Sequence, residues 1–256
     1  MYFDTHAHYD DEAFDADRDA LLASLPAAGI DLVVNPGSDL VSSRKAAALA
    51  RRFPHVYAAV GCHPHEAKDM QKSDLGAFAA LAAEKKVVAI GEIGLDYFYD
   101  HSPREIQRAR LREQMALADD LRLPVIIHDR EAHADCLEIV KEFPRVRGVY
   151  HCYSGSLEYA KSLVALGWYL GFTGAVTFKN ARKALETLAW LPEDRFFLET
   201  DAPYLAPVPH RGERCDSRML PLTAAKVAEA RGAPVEAVAA QAARNGRAFF
   251  GIGTED

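Results

Sequence analysis

The sequence predicts a (β/α)8 TIM barrel in a single domain over residues 1–256, and three observations carry that prediction. Apolar runs rich in β-branched and aromatic residues recur near 2–6, 31–35, 56–61, 87–91, 124–128, 147–151, 168–172 and 195–199. Segments of helical periodicity follow them at roughly 15–28, 40–53, 73–85, 103–122, 131–142, 156–166 and 179–190, then at 218–231 and 234–249. The length of 256 residues, 49% of them apolar, matches the size at which such a barrel forms one core. Strands buried on both faces read as near-continuous apolar runs, and their alternation with helices implies a parallel sheet covered by helices. Eight such units favour closure over an open sheet.

In such a barrel the chemistry sits at the C-terminal ends of the strands. Strand one ends in Asp4-Thr-His6-Ala-His8, where residues two apart face the same side and both imidazoles can converge on one point. Strand two ends in Asn35-Pro-Gly37, without an obvious ligand, and strand three in Gly61-Cys-His63-Pro-His65. Strand four ends in Gly91-Glu92-Ile-Gly-Leu-Asp96, strand five in His128-Asp-Arg130, and strand six in His151-Cys-Tyr153-Ser154. Strand seven ends in Thr173-Gly174, again without a ligand, and strand eight in Glu199-Thr-Asp201. The Pro-rich stretch Ala202–Pro209 reads as a rigid loop after strand eight.

Six residues on this one rim, His6, His8, Glu92, His128, His151 and Asp201, are metal-type ligands. One catalytic zinc uses three protein ligands and leaves a position open, so six point to two ions. His6, His8 and Asp201 would hold one, His128 and His151 the other, with the two oxygens of Glu92 as the bridge. Imidazole and carboxylate donors suit zinc, manganese or magnesium. A metal pair activates water and clamps the oxygens of a displacement, which serves hydrolysis of phosphate esters, amides or lactones. Asp201 can also take the proton of the attacking water, so Asp201 and Glu92 are the candidate catalytic carboxylates.

His63, Asp96, Tyr153 and Arg211 are candidate substrate contacts on the same rim. Asp96 has two further readings, as a carboxylate that orients a ligand or as a turn cap. His65 reads as a helix cap, and His55, His101 and His133 as solvated. Tyr97-Phe98-Tyr99 is either a stacking platform for bases or packing. Arg104, Arg108, Arg110 and Arg112 share one helix with Glu105 and Glu113, the pattern of a salt-bridged face.

Composition narrows the classes. No run of 18 apolar residues is present, so no membrane span is expected. The first strand begins at Tyr2 with no basic-then-apolar leader, which predicts the cytoplasm. Cys62, Cys136, Cys152 and Cys215 lack CxxC spacing and read as reduced thiols. The net charge of −7 argues against a broad nucleic-acid surface, but not against a small site where bound ions supply positive charge.

The chain resembles the TatD family of metal-dependent deoxyribonucleases, within the amidohydrolase-like metal-dependent hydrolases. The resemblance rests on Asp4–His8, Gly61–His65, Ala89–Asp96, Pro124–Arg130, His151–Gly155, Glu199–Pro207 and Asn245–Phe250, in order along nearly the whole chain. It implies a divalent metal pair on His6, His8, Glu92, His128, His151 and Asp201, and hydrolysis of phosphodiester bonds in DNA. The resemblance implies a 3′-to-5′ exonuclease or an endonuclease, and the absence of a broad basic stripe points to single-stranded DNA or DNA ends as the substrate. The chain departs from the family in the loop after strand eight. Glu213-Arg-Cys-Asp-Ser217 stands where the family carries a basic residue followed by Arg-Asn-Glu-Pro. That leaves the ligand set intact and puts the loop's substrate contacts in question, with Asp216 or Ser217 still able to cap the next helix. Two other readings compete. One is a hydrolase of an amide, lactone or small phosphoester on the same scaffold. The other is a non-catalytic metal-binding protein, against which the complete ligand set argues.

Overall fold

Eight parallel strands follow one another around the barrel in chain order. They are β1 (Tyr2–Asp4), β2 (Ile30–Pro36), β3 (Val56–Val60), β4 (Val87–Asp96), β5 (Val125–Arg130), β6 (Gly148–Tyr150), β7 (Tyr169–Phe172) and β8 (Phe196–Leu198). The computed structural model describes residues 1–253. Beyond the ends of β1 and β8 the ring closes through backbone bonds. Thr5 N donates to Leu198 O at 3.3 Å, Asp201 N to His6 O at 2.9 Å and His8 N to Ala202 O at 2.7 Å. The closing seam therefore fixes the backbone of three predicted ligands.

Helices α1 (Arg18–Ser24), α2 (Leu40–Arg52), α3 (Asp74–Ala82), α4 (Arg104–Leu121), α5 (His133–Lys141), α6 (Leu157–Ala165) and α7 (Arg182–Trp190) connect the strands. After β8 come α8 (Leu220–Arg231) and α9 (Val235–Phe250). Local chemistry sets their starts. Asp39 and Ser42 form a reciprocal capping box on α2, and the Ser156 hydroxyl accepts from Tyr159 N at the start of α6. The predicted helix at 15–28 is shorter in the structure: Pro26 opens a 3-10 turn, Pro26–Ala28, which Gly29 ends at φ 85°.

Phe3, Leu32, Val34, Ala59, Ile126, Val149 and Phe197 form one buried cluster with Phe249 and Phe250 of α9. The Phe249 ring lies 5.2 Å from Phe197, and Phe250 lies 6.0 Å from Phe3. A second, larger cluster packs the outward-facing strand residues against the helices.

Strand β4 runs five residues past its predicted end. The sequence signal stops at Gly91 because glycines interrupt the apolar run, yet pairing with β5 resumes after an irregularity between Ile90 and Ile93. Gly94 sits opposite His128 at φ 152°, where an added Cβ would lie 1.9 Å from His128 O. Only glycine fits there, and the close approach brings Glu92 and Asp96 alongside His128.

Candidate active site and metal centre

The six rim residues converge. The Nε2 atoms of His6 and His8 lie 3.1 Å apart, and Glu92 Oε2 lies 3.2 Å from the first and 3.6 Å from the second. Asp201 Oδ1 is 3.7 Å from His6 Nε2 and 3.5 Å from His8 Nε2. The other Glu92 oxygen faces a different set: His128 Nδ1 at 3.0 Å, His151 Nε2 at 3.3 Å and His63 Nε2 at 3.7 Å. The rings of His6 and His151, one from each set, stack with centroids 3.7 Å apart.

These separations fit metal ions. Donors at about 2.0–2.1 Å from a tetrahedral ion sit roughly 3.3 Å from one another. His6–His8–Glu92, His63–Glu92–His128 and His6–His151–Glu199 are all groups whose donor atoms lie within 4.8 Å of one another. The Nε2 atoms of His6 and His8 each lie within 3.7 Å of a Glu92 oxygen and of an Asp201 oxygen, the kind of mixed imidazole and carboxylate donor set that holds a divalent cation. The cluster is closed below and open above. His6, Glu92 and His151 side chains are 0–5% exposed, whereas His8, Asp201, His128 and His63 are 12–17% exposed and form the mouth.

The electrostatics are those of a tight imidazole–carboxylate cluster. Burial pushes Glu92 up, but His151, His6 and His63 outweigh it and hold the carboxyl well below its usual range. Burial also opposes the charge on His8 and His128. Asp201 and Glu92 nevertheless raise His8 to about 9, and Asp96 and Glu92 raise His128 to about 9. His6 is lowered by burial and by His151, and His63 is lowered well below its usual value by burial and by His128. Asp201 is pushed up by burial and pulled further down by its His8 hydrogen bond and by His151, so it is held ionised.

Carboxylates behind the cluster orient its histidines. Glu199 Oε1 accepts from Cys152 N at 2.5 Å and lies 3.2 Å from His151 Nδ1, while Thr5 Oγ1 donates to Oε2 at 3.3 Å. A Glu199 that holds Nδ1–H leaves Nε2 free to ligate. Asp4 is buried beneath His6, where its carboxylate accepts from Thr200 N, Thr200 Oγ1 and Ser217 Oγ. The sequence reading gave neither Glu199 nor Asp4 a role. Asp96 makes the contacts that two of its three readings call for, the orienting carboxylate and the turn cap: Oδ2 lies 3.0 Å from His128 Nε2, and Oδ1 accepts from Phe98 N and Tyr99 N.

Other expected residues fall elsewhere. His63, not His65, caps the 3-10 turn Pro64–Glu66, its Nδ1 accepting from His65 N at 3.2 Å. His65 instead reaches Asp96 Oδ2 at 3.0 Å. Tyr153 is buried and its hydroxyl donates to Ser156 O at 2.6 Å, while Arg211 lies 4.5 Å over the Phe178 ring. Among the described residues no hydrogen bond or ion pair joins either of them to the Glu92 cluster. His55, read as solvated, is buried beside Phe53. The four arginines of α4 are paired, with Asp100, Asp135, Glu113 and Glu142 respectively. In the departing loop, Asp216 caps the turn Ser217–Met219 by accepting from Arg218 N.

A sequence profile described as TatD related DNase matches residues 3–251. The chain belongs to the TatD family. It is accordingly a metal-dependent hydrolase. A Bacillus subtilis (strain 168) relative named "Uncharacterized metal-dependent hydrolase YabD" is 40% identical over 254 residues, covering 98% of this chain and all of that protein. The "3'-5' ssDNA/RNA exonuclease TatD" of Cronobacter sakazakii is 40% identical over 210 residues, covering 80% of this chain and 79% of its own. The crystal structure of YJJV, a TatD homologue from Escherichia coli K12, superposes with a TM-score of 0.92 at 33% identity, over 98% of both chains. More distant barrels, including a phosphotriesterase homology protein at 15% identity and TM-score 0.58, share the fold. No helix among the described residues is long and apolar enough to cross a membrane, and the four cysteines are unpaired.

Proposed function

We propose that this TatD-family hydrolase is a cytoplasmic deoxyribonuclease that trims single-stranded DNA or DNA ends from the 3′ side, using two divalent ions, with residues 1–256 forming its one domain. The observation that carries the reading is the division of Glu92. One oxygen faces His6 and His8 beside Asp201, and the other faces His128 and His151. That division supports two ion positions bridged by one carboxylate, with manganese, magnesium or zinc as the candidate metals. The relative named as a 3′-5′ ssDNA/RNA exonuclease supports the substrate class.

Divalent ions held by His6, His8, Glu92, His128, His151 and Asp201 would supply an ionisable water and would neutralise charge on the phosphodiester oxygens. The chain does the rest. Asp201 is ionised and sits in the open mouth, so it can accept the proton of the attacking water. Its backbone is fixed by donation to His6 O, which holds the base in register with the ligands of β1. Glu199 and Asp96 keep His151 and His128 oriented. His63, 3.7 Å from Glu92 and partly exposed, is the residue we assign to contact with the substrate phosphate.

The test is cleavage of end-labelled single-stranded DNA by purified protein with magnesium or manganese. A ladder shortening from the 3′ end, abolished by His128→Ala and by a chelator, is the expected result. No cleavage across several metals, by protein shown to hold metal, would leave a hydrolase of amides, lactones or small phosphoesters. The net charge of −7 favours that second reading to the extent that it denies DNA a broad basic surface.

A further inference from the structure

Two large aromatic side chains beside the metal centre face solvent instead of the core. Phe98 is 51% exposed and Tyr99 is 49% exposed. They are held in place by the turn that ends β4, where Asp96 Oδ1 accepts from Phe98 N at 3.0 Å and from Tyr99 N at 2.8 Å. The end of β5 lies alongside, since Asp96 and Arg130 are partners in the sheet register and Tyr97 N donates to Arg130 O. From there the Arg130 guanidinium reaches over both rings, 4.1 Å from the Phe98 centroid and 4.7 Å from that of Tyr99. Among the described residues no carboxylate pairs with Arg130. Tyr99 is further occupied by His101, which stacks on it at 5.5 Å and 9°, so the freer ring of the pair is Phe98.

The pair is coupled to the candidate metal centre by short steps. Asp96 carries the turn on one oxygen and contacts His128 Nε2 with the other at 3.0 Å. The Tyr99 ring lies 5.5 Å from His65, and His65 lies 4.3 Å from His63, whose Nε2 is 3.7 Å from Glu92.

We propose that Phe98, backed by the unpaired Arg130, is the stacking site for a nucleobase of a single-stranded substrate whose phosphate lies at the metal centre; the inference rests on the nuclease reading given above. An exposed aromatic face with an adjacent free cation suits a ligand that is both planar and anionic. Aromatic rings accept any base on its π-face, and a guanidinium can bind a phosphate by paired hydrogen bonds. The arrangement also suits an acidic chain: without a broad basic surface, grip on the strand comes from stacking near the reacting end.

The test uses the metal-loaded full chain with a single-stranded oligonucleotide carrying 2-aminopurine near its 3′ end, whose fluorescence is quenched on stacking. Wild type should quench it. Phe98→Ala should abolish the quench and raise KM on the order of 10-fold, with kcat changed by no more than about twofold. Phe98→Trp should restore both, and Arg130→Gln should weaken binding. Phe98→Ala with wild-type KM and wild-type quench would overturn the stacking site. The quench is read on an oligonucleotide whose 3′-terminal linkages are non-hydrolysable, so that it decides independently of cleavage. A wild type that cuts nothing yet quenches, with the quench lost in Phe98→Ala, supports the stacking site and sinks the nuclease reading. A wild type that cuts without quenching retains the nuclease and removes the site.

Discussion

Replacing Glu199 by Gln tests whether the carboxylate behind His151 tunes the metal centre. Glu199 Oε1 accepts from Cys152 N and faces His151 Nδ1, while Oε2 accepts from Thr5 Oγ1. A glutamine can keep its carbonyl at the Oε1 position, because the reverse orientation would set an amide NH2 against the Cys152 N–H. Its nitrogen then takes the Oε2 position, where Thr5 Oγ1 can rotate to accept. Shape and hydrogen-bond count survive, and what is lost is one negative charge beside His151. That charge, with Glu92, raises the proton affinity of His151 against the effect of burial, and makes the ring a better donor. Removing such a partner typically lowers metal affinity 10- to 100-fold, about 1.4–2.8 kcal/mol. Calorimetric titration of manganese into metal-free wild type and Glu199→Gln measures the difference, with circular dichroism and thermal unfolding to establish that the variant folds. A folded variant that binds manganese as tightly as wild type would refute the reasoning, because Glu199 would then be filling space and no more.

Three further outcomes follow from the same geometry. A Cβ at position 171 would sit 2.3 Å from Glu199 Oε2, so Gly171→Ala should cost about 1–3 kcal/mol in thermal unfolding and weaken metal binding in step with Glu199→Gln. Asp201→Asn should lower kcat by about 10²- to 10⁴-fold on single-stranded DNA at saturating metal, as loss of a general base does. A Gly171→Ala protein with wild-type stability, or an Asp201→Asn protein with wild-type kcat, would count against the respective argument. In the metal-free protein His8 and His128 titrate at about 9, above the ordinary histidine value of 6.5. Raised histidines contribute stability that is fully present below the unfolded value and lost as pH rises through the folded one. Unfolding of chelated protein should therefore show Tm falling between pH 6.5 and 9, while added metal, which must displace those protons, should bind more tightly across the same window. A flat Tm and a pH-independent affinity over that range would contradict it.

Much of this site was legible because of what the barrel does to sequence. Strands buried on both faces leave apolar runs, and the residue that ends each run is delivered to one rim, so the sequence alone brings His6, Glu92, His128, His151 and Asp201 together. The two oxygens of Glu92 face different neighbours, one His6 and His8 and the other His128 and His151, which is the division that two oxygens on one central carboxylate allow. What sequence hid was support. Glu199 and Asp201 are both carboxylates at the end of β8, two residues apart, and nothing local distinguishes the one in the mouth from the one beneath it. The signal was there in the repeat of the spacing of His6 and His8. The five extra residues of β4 were hidden because Gly91 and Gly94 break an apolar run while permitting the close strand approach that positions Asp96. His65 was misread because the ring that caps Pro64–Glu66 belongs to His63, a choice set by the distant Asp96. Tyr153 read as a rim residue from its place two positions after His151, but its ring turns inwards against Tyr159 and Phe172.

The proposed cleavage of phosphodiester bonds has a two-ion requirement, with His6, His8, Glu92, His128, His151 and Asp201 as the residues that would hold the ions. It is tested most directly by adding manganese in measured increments to chelator-stripped protein and following nucleotide release from single-stranded DNA. The account predicts little activity through the first equivalent, a steep rise to a plateau at the second, and loss of that rise in His128→Ala. Full activity after one equivalent, or a rise that His128→Ala leaves untouched, would contradict it.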